Sequence, residues 1–117
     1  MRILLTLQGE VVAPRFDLAT EILIARAERG ELVEPPREIL LPGPSGEELC
    51  GLVIKEGVTH LVCGGIEDEH YQYLTWKGVV VLDRVIGTGL LALRRTLEGS
   101  LQAGAVLRDK AKGRGER

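Results

Sequence analysis

The chain has 117 residues, 44% of them hydrophobic and 27% charged, with a net charge of −2 at pH 7. That is the make-up of one globular domain able to bury roughly two-thirds of its unfolded surface, and its near-neutral charge gives nucleic acid or an anionic membrane no electrostatic hold. Four aromatic side chains (Phe16, Tyr71, Tyr73, Trp76) are too few for a base-stacking platform, and no apolar run reaches the ~18 residues that span a bilayer.

Ile3 to Leu7 is an almost unbroken apolar run, the pattern of a central strand covered on both faces. Lying behind only one basic residue and before the polar Gln8-Gly9-Glu10, it reads as a strand and not as a secretory signal. Residues 8–17 read as a loop, and Thr20 to Ala27 as a second strand ending in the hairpin turn Glu28-Arg29-Gly30-Glu31. A helix over residues 18–29 competes on propensity, but the β-rich Ile22-Leu23-Ile24 and the immediate turn favour strand. Leu32 to Leu41 is a third extended segment, which Pro35-Pro36 confines to the sheet edge because proline donates nothing to a ladder.

Ser45 and Glu48 have capping-box spacing, which predicts a helix over residues 46–56 with Leu49, Leu52 and Val53 inward and Gly57 as its left-handed end. Thr59 to Cys63 is a buried strand, residues 67–77 a helix, and Val79 to Leu82 the last strand. Gly87-Thr88-Gly89 opens a final helix whose stripe is Leu90, Leu93, Leu97 and Leu101. This succession predicts an α/β domain over residues 1–107, with a hairpin at one side and parallel βαβ crossovers at the other. Residues 108–117 carry five basic and two acidic side chains and read as a solvated, disordered tail.

In open α/β sheets, ligands sit beyond the carboxyl ends of the strands where the order reverses. With the first strand beside Thr59–Cys63, that crevice gathers residues 8–17, 64–68 and 83–89, and with them Arg15, Cys63, Gly64, Gly65, Glu67, Asp68, Glu69, His70, Arg84 and Thr88. Gly64-Gly65 permits a tight turn with open amides at a helix start, which suits an anion, but the three acids that follow oppose a phosphate. Cys63, His60 and His70 are the soft-ligand residues. His60 and Cys63 point to opposite faces of a strand, which leaves Cys63 with His70 as the candidate metal pair, aided by Asp68 or Glu69. The plainer alternative is a buried cysteine and an exposed helical histidine. Cys50 reads as core, and both cysteines read as free thiols of a reducing cytoplasm. The chain has no Walker-type phosphate loop, and no nucleophile has an orienting partner.

Val12-Ala13-Pro14-Arg15-Phe16-Asp17-Leu18-Ala19 resembles the signature that follows the first strand in the dinitrogenase iron-molybdenum cofactor biosynthesis family, usually Val-Ala-x-His/Arg-Phe-Gly-x-Ala. Gly57-Val58-Thr59 through Gly65-Ile66, with Leu74 and Gly78-Val79, resembles that family's second half, so the likeness covers about residues 1–104. The resemblance implies a three-layer ribonuclease-H-like fold, its five-stranded mixed sheet ordered 3-2-1-4-5 with the second strand antiparallel. It also implies a cytoplasmic, non-enzymatic accessory or carrier domain that binds an iron–sulfur or iron–molybdenum cluster precursor and meets cofactor assembly or acceptor proteins. Arg15 and the Gly64-Gly65 turn carry over as cofactor-binding residues. His70 as a cofactor and metal contact and Cys63 as a metal ligand rest on their chemistry alone. Asp17 stands where the usual form has glycine, and Glu67-Asp68-Glu69 makes the second loop acidic. A regulatory or protein-interaction domain without a cofactor is the alternative. A nuclease is disfavoured, because two-metal chemistry needs carboxylates on the central strands and the first strand has none.

Overall fold

The computed structural model describes residues 1–108; the predicted tail, beyond Arg108, lies outside the described residues. The elements in chain order are β1 (Arg2–Gln8), β2 (Val11–Val12), a 3-10 turn (Phe16–Leu18), β3 (Glu21–Glu28), β4 (Glu31–Leu32), β5 (Arg37–Leu40), α1 (Gly46–Lys55), β6 (His60–Val62), α2 (Asp68–Trp76), β7 (Val80–Leu82) and α3 (Gly89–Glu98).

β1 is the axis of a mixed sheet. Ile3, Leu4 and Leu5 are all 0% exposed, because β1 is paired on both edges and covered on both faces. It runs antiparallel to β3, with Ile3 opposite Ala25, and parallel to β6, with Ile3 opposite His60. β6 continues parallel to β7, and the order across the sheet is β4-β3-β1-β6-β7, with β5 also paired to β3 and β2 to β1. Among the described residues seven strands are therefore present where five were expected. The extended segment at 32–41 is two strands, interrupted at Pro35-Pro36 where the donors are missing. The additional strand is β2, folded back on β1 through Gly9, whose φ of 64° turns the chain.

Strand alternation divides the core. Leu4, Ile22, Ile24 and Leu61 join Phe16 of the 3-10 turn, Leu49 and Val53 of α1 and Leu74 of α2. Ile3, Leu5, Ala25 and Val62 join Ala92 and Leu93 of α3. The hairpin turn has both Arg29 (φ 55°) and Gly30 (φ 80°) in the left-handed region, the geometry that matches strand twist in a two-residue connection. Ser45 Oγ accepts from the Glu48 amide at 3.1 Å to cap α1, and Thr88 Oγ1 accepts from the Leu91 amide at 3.2 Å to cap α3.

The leucine stripe holds at Leu93 and Leu97 of α3 and at Leu101 just beyond it, which pack into the core, and departs from the pattern at Leu90. The buried face is Gly89, Ala92, Leu93 and Thr96, and Leu90 is 78% exposed. Gly89 sets this rotation: a Cβ there would stand 2.7 Å from Leu7 Cδ2, so the helix start lies close on the sheet and Leu90 turns outward. Leu93→Ala should lose about 2–5 kcal/mol in urea denaturation, whereas Leu90→Ala should stay within about 0.5 kcal/mol of the parent.

Candidate functional site

The loops that follow β1, β6 and β7 are tied together by backbone hydrogen bonds. After β1, the Ala13 amide donates back to Thr6 O at 2.8 Å, which turns residues 13–16 alongside the end of β6. There the Gly65 amide donates to Pro14 O and the Phe16 amide to Gly65 O, both at 2.8 Å. The third loop is joined when the Arg84 amide donates to Gly64 O at 2.9 Å and the Val85 amide to Cys63 O at 3.1 Å. The ring closes where the Val12 amide donates to Gly87 O at 2.9 Å and the Gly89 amide to Glu10 O at 2.8 Å.

Gly64 makes this possible. A Cβ on Gly64 would collide with the carbonyl oxygens of Ala13 and Pro14, whereas on Gly65 the nearest atom, Pro14 O, would be 3.5 Å away. The glycine pair thus serves close backbone approach, and its Gly65 amide already has an acceptor. α2 begins only at Asp68, so the pair is not the helix N-terminus that an anion would use.

Between the three loops lies a cavity of about 600 Å³. Gly64 and Gly65 line it, Val11, Val12, Pro14, Val85 and Ile86 form its walls, and Arg84 is its cation. Val11 is 44% and Ile86 63% exposed, so the walls present apolar surface to solvent. Arg84 has φ 56°, a left-handed conformation uncommon for any residue but glycine or asparagine, and its Nε lies 3.4 Å from Asp83 Oδ2.

The other predicted site residues, Arg15, Cys63 and His70 among them, are not part of this lining. Arg15 faces a neighbouring depression of about 330 Å³, across Pro14, which it shares with Leu7, Gln8, Leu18 and Thr20. There its Nε and Nη2 donate to the two carboxylate oxygens of Asp17, at 3.1 and 2.7 Å. His70 packs its ring against Phe16 with centroids 5.9 Å apart, and its Nε2 is 3.5 Å from Glu67 Oε1. It also fills the space over the first turn of α1, where a Cβ on Gly46 would stand 2.5 Å from Nε2.

Cys63 is 0% exposed within the core between the sheet and the helices α1 and α2. Burial, and then the Asp83 carboxylate, push its thiol far up, so it is a protonated core side chain at neutral pH. Cys50 is likewise buried, its thiol pushed up to about 11 by burial and by the carboxylates of Glu47 and Glu69. Among the described residues no group of three or more His, Cys, Asp or Glu side chains is arranged to hold a metal. The valine and isoleucine walls were not among the predicted site residues. Nothing local marks Val11 or Ile86, each of which looks like one more apolar residue beside a strand.

The sequence matches no family model and no curated protein. Solved structures do match. A Methanocaldococcus jannaschii protein provisionally named a dinitrogenase is 19% identical with a TM-score of 0.71, over 87% of this chain and 92% of its own. A Thermotoga protein provisionally named NifB is 19% identical with a TM-score of 0.67, over 92% of this chain and 97% of its own. The chain has their fold. It also matches the apo form of the orange protein from Desulfovibrio gigas, at 23% identity and a TM-score of 0.72, over 89% of this chain and 92% of that one. No helix among the described residues is long and apolar enough to cross a membrane.

Two outcomes test the geometry of the site. Gly64→Ala should lower stability by about 1–3 kcal/mol in urea denaturation, because backbone carbonyls cannot rotate away, while Gly65→Ala should change it by less than about 0.5 kcal/mol. Iodoacetamide at pH 8 should leave both cysteines of the native protein unmodified by mass spectrometry and alkylate both in guanidinium, since neither thiol ionises or reaches solvent while folded.

Proposed function

We propose that this chain is a non-enzymatic carrier domain of the dinitrogenase iron-molybdenum cofactor biosynthesis family, with the three-layer ribonuclease-H-like arrangement. The cavity between the three loops would hold a metal-containing cofactor precursor as cargo, taken from and passed to assembly proteins in the cytoplasm. The observation that carries this reading is the cavity itself: about 600 Å³, at the carboxyl ends of parallel strands, with apolar walls and Arg84 at its rim.

The chemistry of the lining limits what the cargo is. Valine, isoleucine, proline, glycine and arginine offer no thiolate, imidazole or carboxylate to a metal. The crevice therefore suits a preassembled complex that brings its own ligands, makes apolar contacts and carries negative charge toward Arg84. The acids Glu67, Asp68 and Glu69, which would repel such a complex, are not part of the lining. Cys63, buried and protonated, takes no part in holding it.

Anaerobic incubation with iron, sulfide and molybdate, followed by gel filtration, tests the reading. Visible charge-transfer absorbance should co-elute with the wild-type protein and with Cys63→Ala. Ile86→Asp, which puts a like charge in an exposed wall, should weaken retention by about tenfold, equivalent to ~1.4 kcal/mol. Colourless wild-type protein would overturn the carrier reading in favour of an interaction domain without cofactor.

A further inference from the structure

The Arg15–Asp17 pair has geometry that the carrier role alone does not require. Arg15 stands on the rim: its backbone forms a parallel bridge with Gly65, which lines the cavity, and Pro14 separates the cavity from the depression that Arg15 faces. A cation at that position would add to Arg84 in holding an anion. Its guanidinium is instead folded onto Asp17 in a two-point ion pair at 3.1 and 2.7 Å. Arg15 is 57% exposed and Asp17 22%, so the guanidinium is free to move while the carboxylate stays seated in the 3-10 turn. Glu21, the acid that lines that depression, is committed elsewhere, its Oε1 accepting from the Gly9 amide at 3.2 Å.

We propose that Asp17 is a built-in competitor for the anionic cargo: it occupies Arg15, and cargo engages that arginine only by displacing the carboxylate. This rests on the carrier reading and assigns Asp17 the setting of affinity. An exposed charge pair is weak enough to exchange, so the effect is a trimming of affinity and not a block. Arg84 differs, since its Nε lies 3.4 Å from Asp83 Oδ2, a longer contact than either of the Arg15–Asp17 pair, and it lines the cavity itself.

The test is a titration of tetrathiomolybdate, a coloured sulfide-bearing dianion, into wild type, Asp17→Asn, Arg15→Gln, the double variant and Arg84→Gln. Asp17→Asn should bind about two- to fivefold more tightly than wild type, the range an exposed pair allows. The gain should vanish in the double variant, which should match Arg15→Gln, and Arg84→Gln should weaken binding. Unchanged or weaker binding by Asp17→Asn, with wild type binding and Arg84→Gln impaired, overturns the competitor role and leaves the carrier reading standing. A gain that survives in the double variant also overturns it, because the effect would not pass through Arg15. Absence of binding by every form overturns both.

Discussion

The contact on which the site depends is the approach of the Ala13–Pro14 backbone onto Gly64. Only a residue without a Cβ admits it. With the two segments that close, Pro14 O and Gly65 O take amide donors across the gap, and Gly64 O takes the Arg84 amide from the third loop. The turn after β6 thereby becomes the junction of three loops, with the Cys63, Gly64 and Gly65 carbonyls and the Gly65 amide all paired within the protein. The same junction seats Phe16, 0% exposed, in the core, where its ring meets His70 and ties the loop to α2.

Much of the fold is local in origin and legible for that reason. The run Ile3-Leu4-Leu5 carries no polar alternation, which is what a strand buried on both faces requires. Arg29-Gly30 and the caps Ser45 and Thr88 depend on residues within a few positions of themselves. What was hidden is short or depends on distant partners. Val11 and Val12 pair back on Leu7 and Gln8 through Gly9 over only two residues and are held further by Gly87 and Thr88, far along the chain, so β2 looks like loop. The leucine stripe of the last helix places Leu93, Leu97 and Leu101 correctly and fails only at Leu90, where small residues, Gly89 and Ala92, let the helix settle on the sheet.

The site residues divide in the same way. Residue type proposed Cys63 as a metal ligand, but burial decides whether a thiol becomes a thiolate, and residue type says nothing of burial. His70 was placed on the correct helix, while its wedge position over Gly46 follows from the packing of α2 against α1. The Gly64-Gly65 pair lines the cavity, and Gly64 also admits the close backbone approach, which residue type alone does not announce. Arg84 was expected on the rim as one of many residues; its left-handed conformation, which nothing in Asp83-Arg84 announces, sets it apart.

That conformation bears on how the crevice would work. Holding a non-glycine residue in the left-handed region costs about 1–2 kcal/mol, which glycine in the same turn would avoid. An arginine there yields a cation at the mouth of an otherwise apolar cavity. Both rim arginines have a carboxylate close in sequence, Asp83 for Arg84 and Asp17 for Arg15, so neither presents a full unscreened charge. Affinity changes among related complexes appear mostly in the rate of release. On the carrier reading, arginines already partnered by the protein's own acids hasten that release, because the carboxylate is at hand to replace the cargo as it leaves. A carrier needs reversible capture, and an apolar crevice bordered by self-paired arginines meets that need without a single metal bond.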